Sequence, residues 1–70
     1  MKLADYLDKE NLSQREFLKL VLQKTDTYIP QGTISKYVLE NRIPTKKNMV
    51  AIMDATEMQV QANDFYLDQS

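Results

Sequence analysis

The side chains in this sequence that could do chemistry are cations, amides and hydroxyls rather than nucleophiles or metal ligands. There is no histidine, the commonest general base and metal ligand, and no cysteine for thiolate chemistry or disulfides. No glycine-rich phosphate loop occurs, and Asp64 has no second carboxylate at catalytic spacing. An enzyme is therefore not expected, and neither is a metal or a cofactor. What remains is charge and hydrogen bonding, and it is unevenly placed. Between Gln31 and Asn48 four cations, Lys36, Arg42, Lys46 and Lys47, face the single carboxylate Glu40, a net of +3. From Met49 to Ser70 the charges are Asp54, Glu57, Asp64 and Asp68, a net of −4. The overall charge of −1 argues mildly against a nucleic-acid partner. A basic middle and an acidic end nevertheless suit a protein with one basic face, and a chance imbalance in short stretches is the plain alternative.

The elements that must carry these residues read as helices. Leu3, Tyr6 and Leu7 fall at i, i+3, i+4 and predict a short helix from about Lys2 to Lys9. Ser13-Gln14-Arg15-Glu16 is a capping box, serine and glutamate each satisfying the other's backbone amide, and it starts a second helix. Phe17, Leu18, Val21 and Leu22 give that helix its apolar face, widened by Leu20. The second helix should run to about Lys24, with Thr25 to Ile29 as a loop. Pro30 fits the first turn of a third helix, in which Ile34, Tyr37 and Val38 repeat the inward spacing. Asn41 is expected to end it, Pro44 fixes the connection, and Thr45 can cap a fourth helix carrying Met49, Ile52 and Met53 inward. Val60, Phe65, Tyr66 and Leu67 suggest a short terminal helix. No stretch alternates with period two over a strand length. The expectation is an all-α compact bundle of about five short helices, with residues 1–70 as a single domain.

A chain of 70 residues buries only about 60% of its unfolded surface, so its stability margin is thin. No apolar run reaches the roughly 20 residues of a membrane span, and the charged N-terminus lacks a signal-peptide core, so the expected compartment is the cytoplasm. Met49, Met53 and Met58 read as core filler. Tyr6 and Tyr37 read as core rings with their hydroxyls at the surface. Asp64 reads as a cap for the terminal helix.

Four segments carry a resemblance. Ser13-Gln14-Arg15-Glu16-Phe17 resembles the start of the first motif helix of the Cro/repressor-type helix-turn-helix family of phage regulators. Gln31-Gly32-Thr33-Ile34-Ser35-Lys36-Tyr37 resembles that family's recognition helix, and Asn41-Arg42-Ile43-Pro44-Thr45 its following loop. Val60-Gln61-Ala62-Asn63-Asp64-Phe65-Tyr66 is similar to the C-terminal segment of Cro-like proteins. One departure stands out. Leu18 occupies the family's small-residue position, Leu22 stands near its turn glycine, and roughly six extra residues lengthen the connection between the motif helices. That lengthening leaves Tyr28 either packed over the core or touching a DNA backbone, the former being expected.

The resemblance implies a sequence-specific regulator that binds double-stranded DNA, with a helix at about 30–40 in the major groove. It makes Gln31, Gly32, Thr33, Ser35 and Lys36 the base-contacting set. Gln31 suits adenine, Lys36 suits guanine, Ser35 can donate or accept, and Gly32 permits close approach. Thr33 reaches a phosphate or a thymine methyl. Gln14, Arg15, Asn41, Arg42, Lys46, Lys47 and Asn48 are the phosphate-contacting set, a solvated basic turn being the plain alternative for the last five. One recognition helix reads only a few base pairs, so a homodimer on an inverted-repeat operator is expected, with Phe65, Tyr66 and Leu67 as apolar surface for the second subunit. The competing reading keeps the fold and changes the partner, to a protein-binding helix-turn-helix module such as an antirepressor or antitoxin component.

Overall fold

The computed structural model describes residues 1–66. They form four α-helices, α1 (Leu3–Lys9), α2 (Gln14–Thr25), α3 (Gln31–Val38) and α4 (Lys46–Ala55), followed by a 3-10 turn (Ala62–Phe65). No strand occurs among the described residues. The all-helical reading holds, with four helices in place of about five. The expected terminal helix is a single 3-10 turn, because only Val60 of its apolar residues is fully buried while Phe65 is half-buried and Tyr66 exposed. Leu67 lies outside the described residues.

α2 is the shared element, packing against both α3 and α4, while α1 packs against α3. Phe17 and Val21 of α2 enter one core with Ile34 and Tyr37 of α3 and Ala51, Ile52 and Ala55 of α4. Leu3, Tyr6 and Leu7 close it from α1, the Tyr6 ring meeting Phe17 edge-on with centroids 6.0 Å apart. Each fully buried side chain of this size contributes roughly 1.5–3 kcal/mol of transfer free energy. Of the α2 stripe, Leu18 and Leu20 are half-buried and Leu22 is exposed, so the inward face is narrower than the sequence suggests.

The helix ends are set locally. Ser13 and Glu16 form the expected capping box: the Ser13 N–H donates to Glu16 Oε1 at 2.8 Å, and the Glu16 N–H donates to Ser13 Oγ at 3.0 Å. α2 stops after Thr25 because Asp26 turns left-handed, with φ of 58°. The following segment carries no helix and its burial alternates: Thr27 and Ile29 are buried, and Tyr28 between them faces solvent, 70% exposed. Tyr28 therefore does not pack over the core as expected; Ile29 fills that place. Pro30 is the N-cap of α3 rather than a first-turn residue, its carbonyl accepting from Thr33 and Ile34.

α3 ends at Val38, three residues before the expected Asn41. Glu40 takes the left-handed position (φ 62°), and the Asn41 N–H donates back to the Lys36 carbonyl at 2.9 Å, a Schellman closure. The same closure ends α1 at Asn11 and α4 at Glu57, with φ of 56° and 55°. Thr45 caps α4, accepting from the Asn48 N–H at 3.4 Å. At its other end the buried Thr56 hydroxyl donates to the Ile52 carbonyl at 2.8 Å and accepts from the Val60 N–H at 3.2 Å. Met49 is buried and Met53 half-buried, as expected of core filler, whereas Met58 is half-exposed because it lies beyond the left-handed turn at Glu57. Asp64 does cap, accepting from the Gln61 N–H at 2.8 Å.

Two outcomes follow. The Ser13 backbone and then its hydroxyl hold the Glu16 carboxyl below the ordinary glutamate range. The folded protein therefore binds this proton more weakly than the unfolded chain, so the stabilisation is present above the ordinary glutamate pKa and is lost as pH falls through the depressed value. Urea midpoints measured across the acid limb should fall less steeply in Glu16→Gln than in the wild type; equal slopes would count against the capping box. Glu57 pays the steric penalty of a left-handed side chain, about 1–2 kcal/mol, against a glycine entropy cost of about 0.5–1 kcal/mol. Glu57→Gly should raise the melting temperature by a few degrees in calorimetry, since about 1 kcal/mol shifts a domain of this size by roughly 4–8 °C.

Candidate nucleic-acid interface

The burial of Ile34 and Tyr37 fixes how α3 is rotated, and with it what the helix presents outward. At 3.6 residues per turn, Gly32 and Lys36 stand four apart at the centre of the opposite face. Gln31 and Ser35 flank them on one side and Thr33 on the other. Gln31, Gly32 and Lys36 are exposed, and Thr33 and Ser35 are half-buried. All five sequence-predicted base-contacting residues thus lie off the core side of one helix.

Gly32 is informative because nothing inside the protein requires it. It is the only glycine in the chain, it sits within a helix without positive φ, and an added Cβ would meet nothing within 4 Å. Helix propensity alone would favour alanine there.

Gln14 opens α2 and Gln31 opens α3, and the Gln31 amide donates to Gln14 Oε1 at 2.8 Å. This hydrogen bond joins the predicted base-contacting and phosphate-contacting sets at one point. It uses one Gln31 N–H and leaves the other N–H and the carbonyl oxygen free. Gln14 keeps both of its amide hydrogens. On the other side, Asn48 is half-buried and donates to the Tyr37 hydroxyl at 2.9 Å, so this hydroxyl is engaged within the protein rather than left at the surface as expected. Asn41 and Arg42 are exposed in the connection after α3, and Lys46 and Lys47 are the exposed first residues of α4.

The charges divide into two sets. Lys2, Lys9 and Lys24 pair with Glu40, Glu10 and Glu57 at 3.2, 3.4 and 3.8 Å. The other six cations, Arg15, Lys19, Lys36, Arg42, Lys46 and Lys47, have no carboxylate within 4 Å among the described residues. Five of the six are residues the sequence reading singled out. Lys19 was missed, although it stands one helical turn after Arg15 on α2, a spacing visible in the sequence. No group of three acidic, histidine or cysteine side chains that could hold a metal ion occurs among the described residues. No helix of the described residues is long and apolar enough to cross a membrane.

Comparison with protein-family models, with curated proteins and with solved structures finds no match to this chain.

Gly32→Ala isolates the role of the bare helix face. It should raise thermal stability by about 0.5–1 kcal/mol, because helix propensity improves and no clash arises inside the protein. A destabilised variant in thermal melts would mean that packing within the chain, not an approaching partner, demands the glycine.

Proposed function

We propose that this protein is a sequence-specific double-stranded DNA-binding regulator of transcription, with α3 inserted in the major groove and α2–α3 acting as a helix-turn-helix with a lengthened connection. The observation that carries this reading is the set of six cations without ion pairs among the described residues, carried by α2, α3 and the segment leading into α4, together with the exposed polar outer face of α3. The resemblance of residues 13–17 and 31–37 to Cro/repressor-type regulators supports it independently.

The chemistry follows from the hydrogen bonds left open. Adenine in the major groove offers the N7 acceptor and the N6 donor, and the free N–H and carbonyl of Gln31 match that pair. Gln14 holds the Gln31 amide in register and directs its own amide hydrogens to a phosphate, making it a positioning residue. Lys36 donates to guanine O6 and N7, and Ser35 donates or accepts beside it. Gly32 lets the helix backbone approach the base edges, and Thr33 meets a phosphate or a thymine methyl at the helix flank. Lys46 and Lys47 sit at the N-terminus of α4, where the helix dipole opposes them, so a phosphate supplies the favourable partner that the fold does not. Arg15, Asn41 and Arg42 extend the phosphate contacts on either side; Asn48, tied to Tyr37 by one Nδ2 hydrogen, keeps the other for a phosphate. Two copies on an inverted repeat would double the base pairs read, with the exposed Tyr66 as apolar surface for the second copy.

Selection of bound sequences from a random duplex pool tests this directly. An enriched inverted repeat is expected, with log affinity falling against log salt at a slope of about −3 to −4 per protomer from four phosphate-contacting cations. Failure to enrich any sequence, with weak binding even at low salt, would turn the module towards a protein partner instead. On the enriched site, Gln14→Ala and Lys36→Ala should each relax base choice at one position. Lys46→Ala should weaken all duplexes alike and make the slope shallower by about 0.9.

A further inference from the structure

Beside Gln31 a groove opens that the resemblance does not account for. It lies between α2 and the segment after Asp26, lined by Arg15, Leu18, Lys19, Leu22, Tyr28 and Gln31. Its volume of about 230 Å³ is below the range of small-molecule pockets, roughly 300–1,000 Å³. Its chemistry is split in two. Arg15 and Lys19 are two cations without ion pairs among the described residues, and no carboxylate lines the groove. Leu22 and Tyr28 are apolar surface left open to solvent, 44% and 70% exposed. Burial fixes this placement: Thr27 and Ile29 on either side are buried while Tyr28 is left outward.

We propose that this groove seats one sugar–phosphate unit of the same duplex that α3 reads, with Arg15 and Lys19 on the phosphate and Leu22 and Tyr28 against the deoxyribose. The inference rests on the DNA-binding reading and extends it to residues outside the predicted set. A nucleic-acid backbone alternates an anion with a partly apolar ring, and the groove presents the complementary pair. Gln31 forms one wall of the groove and is also bonded to Gln14, so the groove is continuous with the base-reading face. An acidic peptide is the other anionic occupant the cations would accept. Continuity with Gln31 and the small volume favour the DNA backbone.

The test compares the full-length wild type with Lys19→Ala, Tyr28→Ala and Lys9→Ala on the selected duplex at several salt concentrations. Lys19→Ala should weaken binding and make the log–log salt slope shallower by up to about 0.9, the full share of one phosphate, because Arg15 stays on the same phosphate. Tyr28→Ala should weaken binding at least about fourfold, as for loss of one buried methylene group, with the slope unchanged. Lys9→Ala, which removes a cation paired with Glu10, should change neither. Wild-type slope and affinity in both groove variants, while Lys46→Ala still weakens binding, would empty the groove and leave the DNA reading standing. An equal slope change in Lys9→Ala would reduce the effect to net charge and overturn the proposal. Competition by a polyglutamate peptide that is lost in Lys19→Ala would assign the groove to an acidic protein segment. Absence of wild-type binding to any duplex would remove the DNA reading itself.

Discussion

Burial of Ile34 and Tyr37 in the core shared with Phe17 and Val21 sets the angle at which α3 is rolled against the rest of the protein. In so short a helix two buried positions three residues apart leave no rotational freedom. Once they are inward, Gly32 and Lys36 must face out, with Gln31 and Ser35 beside them. The polar contacts then grow from the buried face outward: Tyr37 offers its hydroxyl to Asn48, and Gln31 reaches Gln14 at the head of α2. A domain of this size has few core residues, so the same handful both holds the fold and aims the candidate interface.

The charge arrangement follows a similar economy. The chain is slightly acidic overall, yet among the described residues its carboxylates pair only with Lys2, Lys9 and Lys24 of the side-chain cations. Repulsion among the six remaining cations costs little in the free protein, because exposed charges are screened over about 10 Å at 0.1 M salt. A polyanion that carries its own condensed counterions gains from meeting them, since those counterions are released. An acidic isoelectric point is thus no obstacle to a locally basic face.

What the sequence disclosed is mostly what local chemistry decides. The Ser13–Glu16 box, the end of α2 within one residue of the expected Lys24, and the Thr45 cap depend on residues within one turn of each other, and they were legible. The errors lie where tertiary packing chooses. Tyr28 and Ile29 are both apolar enough to fill the core beside α2, and only the packing of the folded chain decides that Ile29 goes in. Asn41 is the better left-handed residue by type, but Glu40 takes that role because α3 stops once Tyr37 and Val38 have met the core. The terminal segment has aromatic residues, but the core is already closed by Val60, which leaves a 3-10 turn. Of the candidate site, the α3 residues were legible from their spacing. The Gln31–Gln14 bond was not, because it joins residues seventeen apart across two helices. Lys19 was passed over because a lone lysine on a helix reads as ordinary solvated surface until its lack of a carboxylate partner is seen.

The central claim, that the outer face of α3 and its flanking cations form one duplex-binding surface, is tested most directly by titrating isotope-labelled protein with a DNA duplex and following backbone and side-chain amide resonances. Shifts should concentrate at Gln14, Arg15, Gln31, Gly32, Ser35, Lys36 and Lys46, while α1 from Asp5 to Lys9 stays silent. Shifts centred on α1, or a duplex that moves no resonance on α3, would contradict it.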